Sequence, residues 1–376
     1  MSNSIPDCSP NCSKTRQEEL LFVKTTARLI KKAAMRQVLL LRPGALGDAV
    51  LTLPVLHALK VAGARGVTIL GTPASWSFLR KDVVGLELSV HDLGASDWLG
   101  LFATGASLSV KAQAVLARCD LALVYLGLNS SVTEHALKAC GIANVLCLDA
   151  PKMGACSTEP AKEPDSDLIH ASHAARRLLD PLSVVLSNQH TASALLQEHW
   201  QQAQDAFLSV TPTETQAALN RLGLEHPPTG GMVGLHPGSG GKAKCWPAER
   251  YAALAEASYD QFGLTPLVFF GPADENVCQA FEAARHQAPH VLRATQFPLR
   301  EVMALLALSR AFVGNDSGVT HLAARGCPTL ALFGPTDPRV WKPLGRRVAV
   351  QASPTSSMEA LDLKTVLSSL GSLTNS

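Results

Sequence analysis

A chain of 376 residues that is 47% hydrophobic and 17% charged can fill one large core or, better, two domains of ordinary size, which excludes an intrinsically disordered protein. A net charge of +2, with neither a basic stripe interleaved with aromatics nor a Cys/His finger framework, excludes nucleic acid as an expected partner. Nine cysteines without a C-x-x-C pair, several of them in apolar runs, fit a reducing compartment, and the lack of an apolar run of membrane-spanning length or of a signal-peptide start points to the cytoplasm.

Residues 1–13 are polar and read as a tail. Residues 14–36 carry seven basic and two acidic side chains around Leu20, Leu21, Val23, Ala27, Leu29 and Ile30. Such a basic amphipathic helix suits an anionic membrane face, although a solvated helix on a domain surface is its commoner use. Met35 would serve as a start ahead of the first strand, so the residues before it are expected to be dispensable for folding and for donor binding. Residues 38–41 (VLLL) predict that strand, and the loop 42–48 (RPGALGD) carries it into a helical pattern over 49–60. Gly44 and Gly47 allow a tight turn and close approach of a ligand to the backbone, yet the G-K-[ST] of a P-loop and the third glycine of a dinucleotide fingerprint are missing. Pro54 interrupts a helix begun at Asp48, so either the first turn is distorted or the regular helix starts near Thr52.

Short apolar runs at 67–70, 86–90, 121–125 and 145–148 alternate with helical or Gly/Ser-rich stretches and predict a mostly parallel sheet covered on both faces. Residues 151–167 read as a loop, and 168–179 and 192–208 as helices. Thr211, Pro212 and Glu214 form a capping box with proline at the first helical position, opening a helix that stops at Gly223. A polar stretch, 225–231, marks the expected domain boundary.

The strand, loop and helix scheme restarts at 232–235 with the loop 236–247 (HPGSGGKAKCWP). Tyr251, Leu254, Ala255, Ser258 and Phe262 mark the buried stripe of the next helix, which Gly263 ends. A strand at 266–270 leaves through the turn 271–275 (GPADE), and a helix over 299–309 feeds a strand at 311–313. There Asn315, Asp316, Ser317 and Gly318 make a small polar turn that opens a helix over 319–324. The backbone N–H groups and positive dipole end of that helix, at the C-terminal edge of a parallel sheet, suit an anion. The plain alternative is that Asp316 caps a core helix. The returning strand 329–333 places a second turn, 334–338 (GPTDP), beside the first, and 358–370 reads as a terminal helix.

Six motifs now stand in order over residues 36–345: RPGALGD (42–48), HPGS (236–239), KCWP (244–247), GPADE (271–275), NDSG with His321 (315–321) and FGPTDP (333–338). Together they resemble glycosyltransferase family 9, the lipopolysaccharide heptosyltransferase family. The resemblance implies an α/β fold of the GT-B kind: two Rossmann-like domains facing across a cleft, with a C-terminal helix crossing back to the N-domain. It divides the chain into an extension (1–35), an acceptor-side domain (36–225), a nucleotide-sugar donor domain (232–355) and a C-terminal helix and tail (356–376). It further implies inverting, metal-independent transfer without a cofactor, of heptose from ADP-heptose to a lipopolysaccharide-core or related glycan acceptor. The work would be done in the cytoplasm, with peripheral contact to the inner membrane face.

Position by position, the resemblance implies Asp48 as the catalytic base, Gly44 and Gly47 as the acceptor-side loop, and Ser239, Lys244, Glu275, Asp316, Ser317, Gly318, Val319 and His321 around the donor. Glu275 would meet ribose or base, and Asp316 would belong to the phosphate turn. The chemistry is coherent, because a departing nucleoside diphosphate carries negative charge that Lys244 and the helix start at Ser317 can stabilise. A helix end contributes at most ~2 kcal/mol, so several N–H bonds and the lysine must share the work. Asp48 also stands where a helix N-cap would, and His57 and Asp92 are the next candidates for a base. The competing readings are a non-catalytic GT-B nucleotide-sugar-binding protein, a transferase with another donor or a protein acceptor, a nicotinamide dehydrogenase and a sugar epimerase. The dehydrogenase lacks its G-x-G-x-x-G loop and ribose-binding acid. The segment before Met35 and the loop 151–167 have no counterpart in the family and leave the acceptor open.

Overall fold

The computed structural model describes residues 36–79, 86–126, 130–148, 173–185, 209–285 and 290–374. The expectations for 1–35, for the loop 151–167 and for a helix over 192–208 lie outside the described residues. In chain order the first half contains β1 (Gln37–Leu41), α1 (Leu46–Leu51), α2 (Leu53–Val61), β2 (Gly66–Gly71), α3 (Pro73–Trp76), β3 (Glu87–Asp92), a 3-10 turn (Ser96–Leu101), α4 (Val110–Leu116), β4 (Leu121–Val124), α5 (Ser130–Ala139), β5 (Asn144–Cys147) and α6 (Ala174–Val185). The second contains α7 (Pro212–Arg221), β6 (Met232–His236), a 3-10 turn (Lys242–Lys244), α8 (Ala248–Phe262), β7 (Thr265–Phe270), α9 (Glu275–Ala284), β8 (Leu292–Thr295), α10 (Leu299–Leu308), β9 (Ser309–Asn315), α11 (Gly318–Gly326), β10 (Thr329–Phe333), α12 (Pro338–Trp341), β11 (Val348–Ala352) and α13 (Leu363–Thr374).

Two parallel sheets result, ordered β3-β2-β1-β4-β5 and β11-β10-β9-β6-β7-β8. Their central strands are apolar along their whole length because both faces are covered. Val38 and Leu40 of β1 pack with Leu53 and Leu56 of α2, whereas Leu39 and Leu41 face Leu116 of α4 and Leu137 of α5. The strand order turns around between β1 and β4 in the first sheet and between β6 and β9 in the second. Ligands of open α/β sheets bind at such switch points, outside the carboxyl ends of the strands. The loops after β1, β6 and β9 are therefore set at the functional edge by topology alone.

Local rules account for the joints. Pro54 sits in the first turn of α2, and the chain breaks between α1 and α2 at Thr52, as a proline without an N–H requires. The Thr211 hydroxyl accepts from the Glu214 amide at 3.1 Å while the Glu214 carboxylate accepts from the Thr211 amide at 2.8 Å, which is the predicted capping box. Gly263 ends α8 at φ 64°, a left-handed conformation that glycine adopts without strain.

The two halves share an apolar layer, in which Val55 and Leu59 belong to one cluster with Met303, Leu305 and Phe312. Arg300 on α10 ties them further, donating to Glu214 at 2.8 Å, to the Ser209 carbonyl at 2.6 Å and to the Phe78 carbonyl at 3.0 Å.

The terminal helix corrects an expectation. It does not cross back to the first sheet; Val366 and Leu370 of α13 pack with Trp246 and Leu254 of the second half. The cause is upstream. The Trp246 indole donates to the Leu361 carbonyl at 2.9 Å and Arg250 donates to the Glu359 carbonyl at 2.8 Å, so the chain is anchored on α8 before α13 begins. Residues 358–370 accordingly split into a 3-10 turn, Met358–Ala360, and α13. Among the described residues no helix is long and apolar enough to cross a membrane.

Candidate active site

The loop after β1 folds onto itself. Gly44 stands at φ 129°, a value that side chains rarely tolerate, and a Cβ there would run into Asp48. Asp48 is the third residue of α1, not its N-cap as its position in the sequence suggests. One carboxylate oxygen accepts from the Ala45 amide at 3.0 Å and the other from Arg42 at 2.7 Å. Arg42 lies 5.9 Å from the ring of the buried Tyr125, so it is held from behind as well. The Asp48 side chain remains 36% exposed. His57 is buried within α2, and Asp92, at the end of β3, turns back to the Gly94 amide at 3.0 Å; neither belongs to this loop.

The second cluster is built from distant stretches. Asp316, at the end of β9 and almost fully buried, accepts from the Lys244 ammonium at 2.8 Å and from the Thr336 hydroxyl at 2.9 Å, while its backbone carbonyl accepts from Ser239 at 2.8 Å. Beneath it Asn315 fixes the turn. Its amide donates to the carbonyls of Pro237 and Gly238, and its oxygen accepts from the Trp246 amide and the Tyr251 hydroxyl. Ser317 is the N-cap of α11 and accepts from the Thr320 amide, so Gly318 and Val319 supply the remaining amide donors of the first turn. Ser239, Lys244, Asp316, Ser317, Gly318, Val319 and His321 are thus brought together. Glu275 opens α9 and is exposed.

The two clusters face each other where α1 meets α11. A Cβ on Gly318 would stand 2.7 Å from the Gly47 nitrogen, and one on Gly47 would touch Gly318 and the His321 ring at 3.5 Å. Gly318 is needed for the helices to approach this closely, whereas a methyl on Gly47 would meet only ordinary contact distances. His321 is buried against the contact, its Nε2 4.0 Å from Asp316 and its Nδ1 without a hydrogen-bond partner among the described residues. Burial depresses its pKa to about 4 despite the pull of Asp316, so the ring is neutral at pH 7.

Sequence reasoning missed His236, Asp274, Thr336 and Arg42. The His236 ring bridges the Ser317 hydroxyl (Nδ1, 3.1 Å) and the Asp274 carboxylate (Nε2, 3.2 Å), and all three are buried. Asp274 also accepts from the Gly271 amide at 2.7 Å. Burial pushes the Asp274 carboxyl up, but the hydrogen bond and charge of His236 and the Gly271 amide outweigh it, leaving its pKa below the ordinary value. The available signal was position: a histidine ending the first strand of the half, and an aspartate in the exit turn of the second.

Comparison with known proteins agrees with this geometry. The chain is 31% identical over 148 residues to lipooligosaccharide heptosyltransferase 2 of Haemophilus ducreyi, covering 38% of this chain and 41% of that protein. It is 33% identical over 150 residues to lipopolysaccharide heptosyltransferase 2 of Escherichia coli, covering 38% and 42%. The chain spans about two fifths of the length of the curated relatives it matches. Superposition extends further. The structure of E. coli ADP-heptose lipopolysaccharide heptosyltransferase II matches with a TM-score of 0.65 at 20% identity, over 90% of this chain and 98% of that one. A glycosyltransferase family 9 structure from Veillonella parvula gives 0.68 at 18%, over 92% and 98%. The fold is therefore GT-B, two Rossmann-like domains. The family model described as glycosyltransferase family 9 (heptosyltransferase) matches residues 170–369, more than half of the chain and the whole stretch that carries Ser239, Lys244 and Asp316, and the chain belongs to that family.

Proposed function

We propose that the protein is an inverting glycosyltransferase that takes heptose from ADP-heptose and passes it to a hydroxyl of a lipopolysaccharide-core glycan. The observation that carries this reading is the convergence of Lys244, Ser239, Thr336 and the start of α11 around Asp316, opposite a helix bearing a half-exposed carboxylate. The names of the relatives, heptosyltransferases of lipopolysaccharide and lipooligosaccharide, favour that donor and acceptor. Among similar folds, the E. coli heptosyltransferase WaaC has been seen with ADP and with ADP-2-deoxy-2-fluoro heptose.

In this scheme the diphosphate lies at the start of α11 with its charge met by the Gly318 and Val319 amides and by Lys244, which trades its Asp316 contact for phosphate as the anion enters. Glu275 faces the nucleoside. The acceptor hydroxyl approaches from the first sheet, and Asp48 takes its proton as the anomeric carbon–oxygen bond to the diphosphate breaks on the opposite face. Arg42 keeps Asp48 aimed until then. The Asp48–Arg42 pair also supports a second reading, in which Asp48 only braces α1 and the fold binds a nucleotide sugar without transferring it. Single-turnover transfer from ADP-heptose to a heptose-acceptor core glycan separates the two. Turnover by the unmodified chain supports the transferase, and tight donor binding with no transfer leaves the binding protein. Peripheral association with the inner membrane face belongs to the same proposal and is tested by co-sedimentation with anionic vesicles.

A further inference from the structure

The buried chain Asp274, His236, Ser317 leads from the exit turn of β7 to the cap of α11, and its hydrogens can be counted. Asp274 is held as a carboxylate and can only accept, so His236 Nε2 carries a hydrogen. Nδ1 then either holds a lone pair, accepting from the Ser317 hydroxyl, or holds a second proton and donates to it across the same 3.1 Å. Ser317 has one hydrogen, and its other neighbour, the Thr320 hydroxyl, spends its own on the Asn315 carbonyl at 2.6 Å. While His236 is neutral, the Ser317 hydrogen points inward. When His236 is protonated, that hydrogen must leave Nδ1, and it turns to the Thr320 oxygen 3.1 Å away or, when one is bound, to an anion at the start of α11.

We propose that occupation of this site by a nucleoside diphosphate draws a proton onto His236, with Ser317 turning its hydroxyl hydrogen from Nδ1 to a phosphate oxygen. The inference rests on the nucleotide-binding reading and extends it. No covalent bond is made beyond the N–H. The proton comes from water or buffer acid of the medium, and it leaves again when the anion departs.

The surrounding charges favour the exchange. Asp274 lies directly behind the ring, fixed by Gly271 and packed on Gly238, where a Cβ would collide with it. Exposed Glu275 follows it at the start of α9. Asp316 stands beside Ser317 but is engaged by Lys244, the one cation of this cluster that opposes a charged ring. His321 is held neutral. Burial raises the Cys245 thiol and the Tyr251 hydroxyl, which remain neutral too. An anion at α11 adds negative charge and an acceptor at the same point, so both its field and its hydrogen-bonding demand select the protonated ring. His236 is thereby a positioning residue, which acts on the ligand only through Ser317.

The test is calorimetric titration of the full chain with ADP at about pH 8, where a free imidazole is mostly neutral, in buffers of different ionisation enthalpy. The expected result is net proton uptake, read from the buffer dependence of the heat, together with an affinity that falls as pH rises, by up to about tenfold per pH unit. In His236→Asn ADP should still bind but the uptake should vanish. Uptake that persists in His236→Asn, or binding of ADP by the unmodified protein without uptake, overturns the relay while sparing the nucleotide site. Absence of any ADP binding removes both. Should His236→Asn fail to fold, imidazole nitrogen shifts of the unmodified protein read the same event: Nδ1 must move from acceptor to protonated on adding ADP, and an unchanged Nδ1 overturns the proposal.

Discussion

Asp48 and Asp316 both stand at strand-to-helix joints on the switch points of the two sheets, and they are held differently. Asp48 takes its hydrogen bonds from Arg42, six positions back, and from the Ala45 amide, three back. Asp316 is met by Lys244 from 72 positions away and by Thr336 from 20 positions on. The first carboxylate is braced locally and keeps a partly open face. The second is a buried hub whose partners come from two other loops, those after β6 and β10. A locally braced, accessible carboxylate is suited to exchanging a proton with a bound hydroxyl, whereas a buried hub is suited to fixing several loops around a ligand. The proposed division of labour rests on this contrast.

The sharpest way to break the contrast is Asp48→Asn. Asparagine keeps an acceptor for the Ala45 amide, so the melting point should move by less than about 1 kcal/mol of stability, but it cannot take a proton. Single-turnover transfer should slow by about 10² to 10⁴-fold, ~3 to 5.5 kcal/mol of barrier. Near-normal transfer would reduce Asp48 to a brace.

Lys244→Ala should act on both binding and stability. It leaves the buried Asp316 with the Thr336 hydroxyl but no cation, at about 1 to 3 kcal/mol, whereas Asp316→Ala leaves a lysine that is 35% exposed and free to turn to water. Urea melts should therefore rank Lys244→Ala as the more destabilising change, and the reverse order would mean that the hub is not what holds the loops.

Gly318→Ala tests the contact between the halves. The added methyl meets the Gly47 backbone, which cannot yield as a side chain would, for a loss of about 1 to 3 kcal/mol. Gly240→Ala, with open space around it, should cost far less, and equal losses in thermal melts would dismiss the close approach as a constraint.

The smallest expected effect is one of pH. The hydrogen bond from Arg300 holds Glu214 at a pKa of about 2, below its unfolded value. The stability it contributes is present above the ordinary carboxylate range and is lost as pH falls from about 5 towards 2. The pair is partly exposed, so the contribution stays under about 1 kcal/mol. Glu214→Gln should flatten this part of the acid limb; an unchanged acid titration would show that the pair carries nothing.

Much of the fold was legible in the sequence because its signals are local. The apolar run of β1, the break forced by Pro54, the box at Thr211 and the glycine at 263 each concern neighbours within a turn. The edge strands β8 and β11 went unnoticed, being short and only partly buried, so their residues lack a continuous apolar pattern. The direction of α13 was misjudged because it depends on Trp246 and Arg250, more than a hundred positions earlier. In the site, the residue types at the start of α11 were readable. The Arg42 grip on Asp48 and the His236 bridge were not, since both depend on how the loops turn after their strands, which spacing leaves open.

The most direct test of the account is one calorimetric series: ADP, UDP and GDP titrated into the unmodified chain, Lys244→Ala and Asp48→Asn. The account predicts that ADP binds best, that Lys244→Ala weakens it about tenfold to a hundredfold, equivalent to 1.4 to 2.8 kcal/mol, and that Asp48→Asn leaves it unchanged. Equal losses in the two variants, or no preference for any nucleotide, would contradict it.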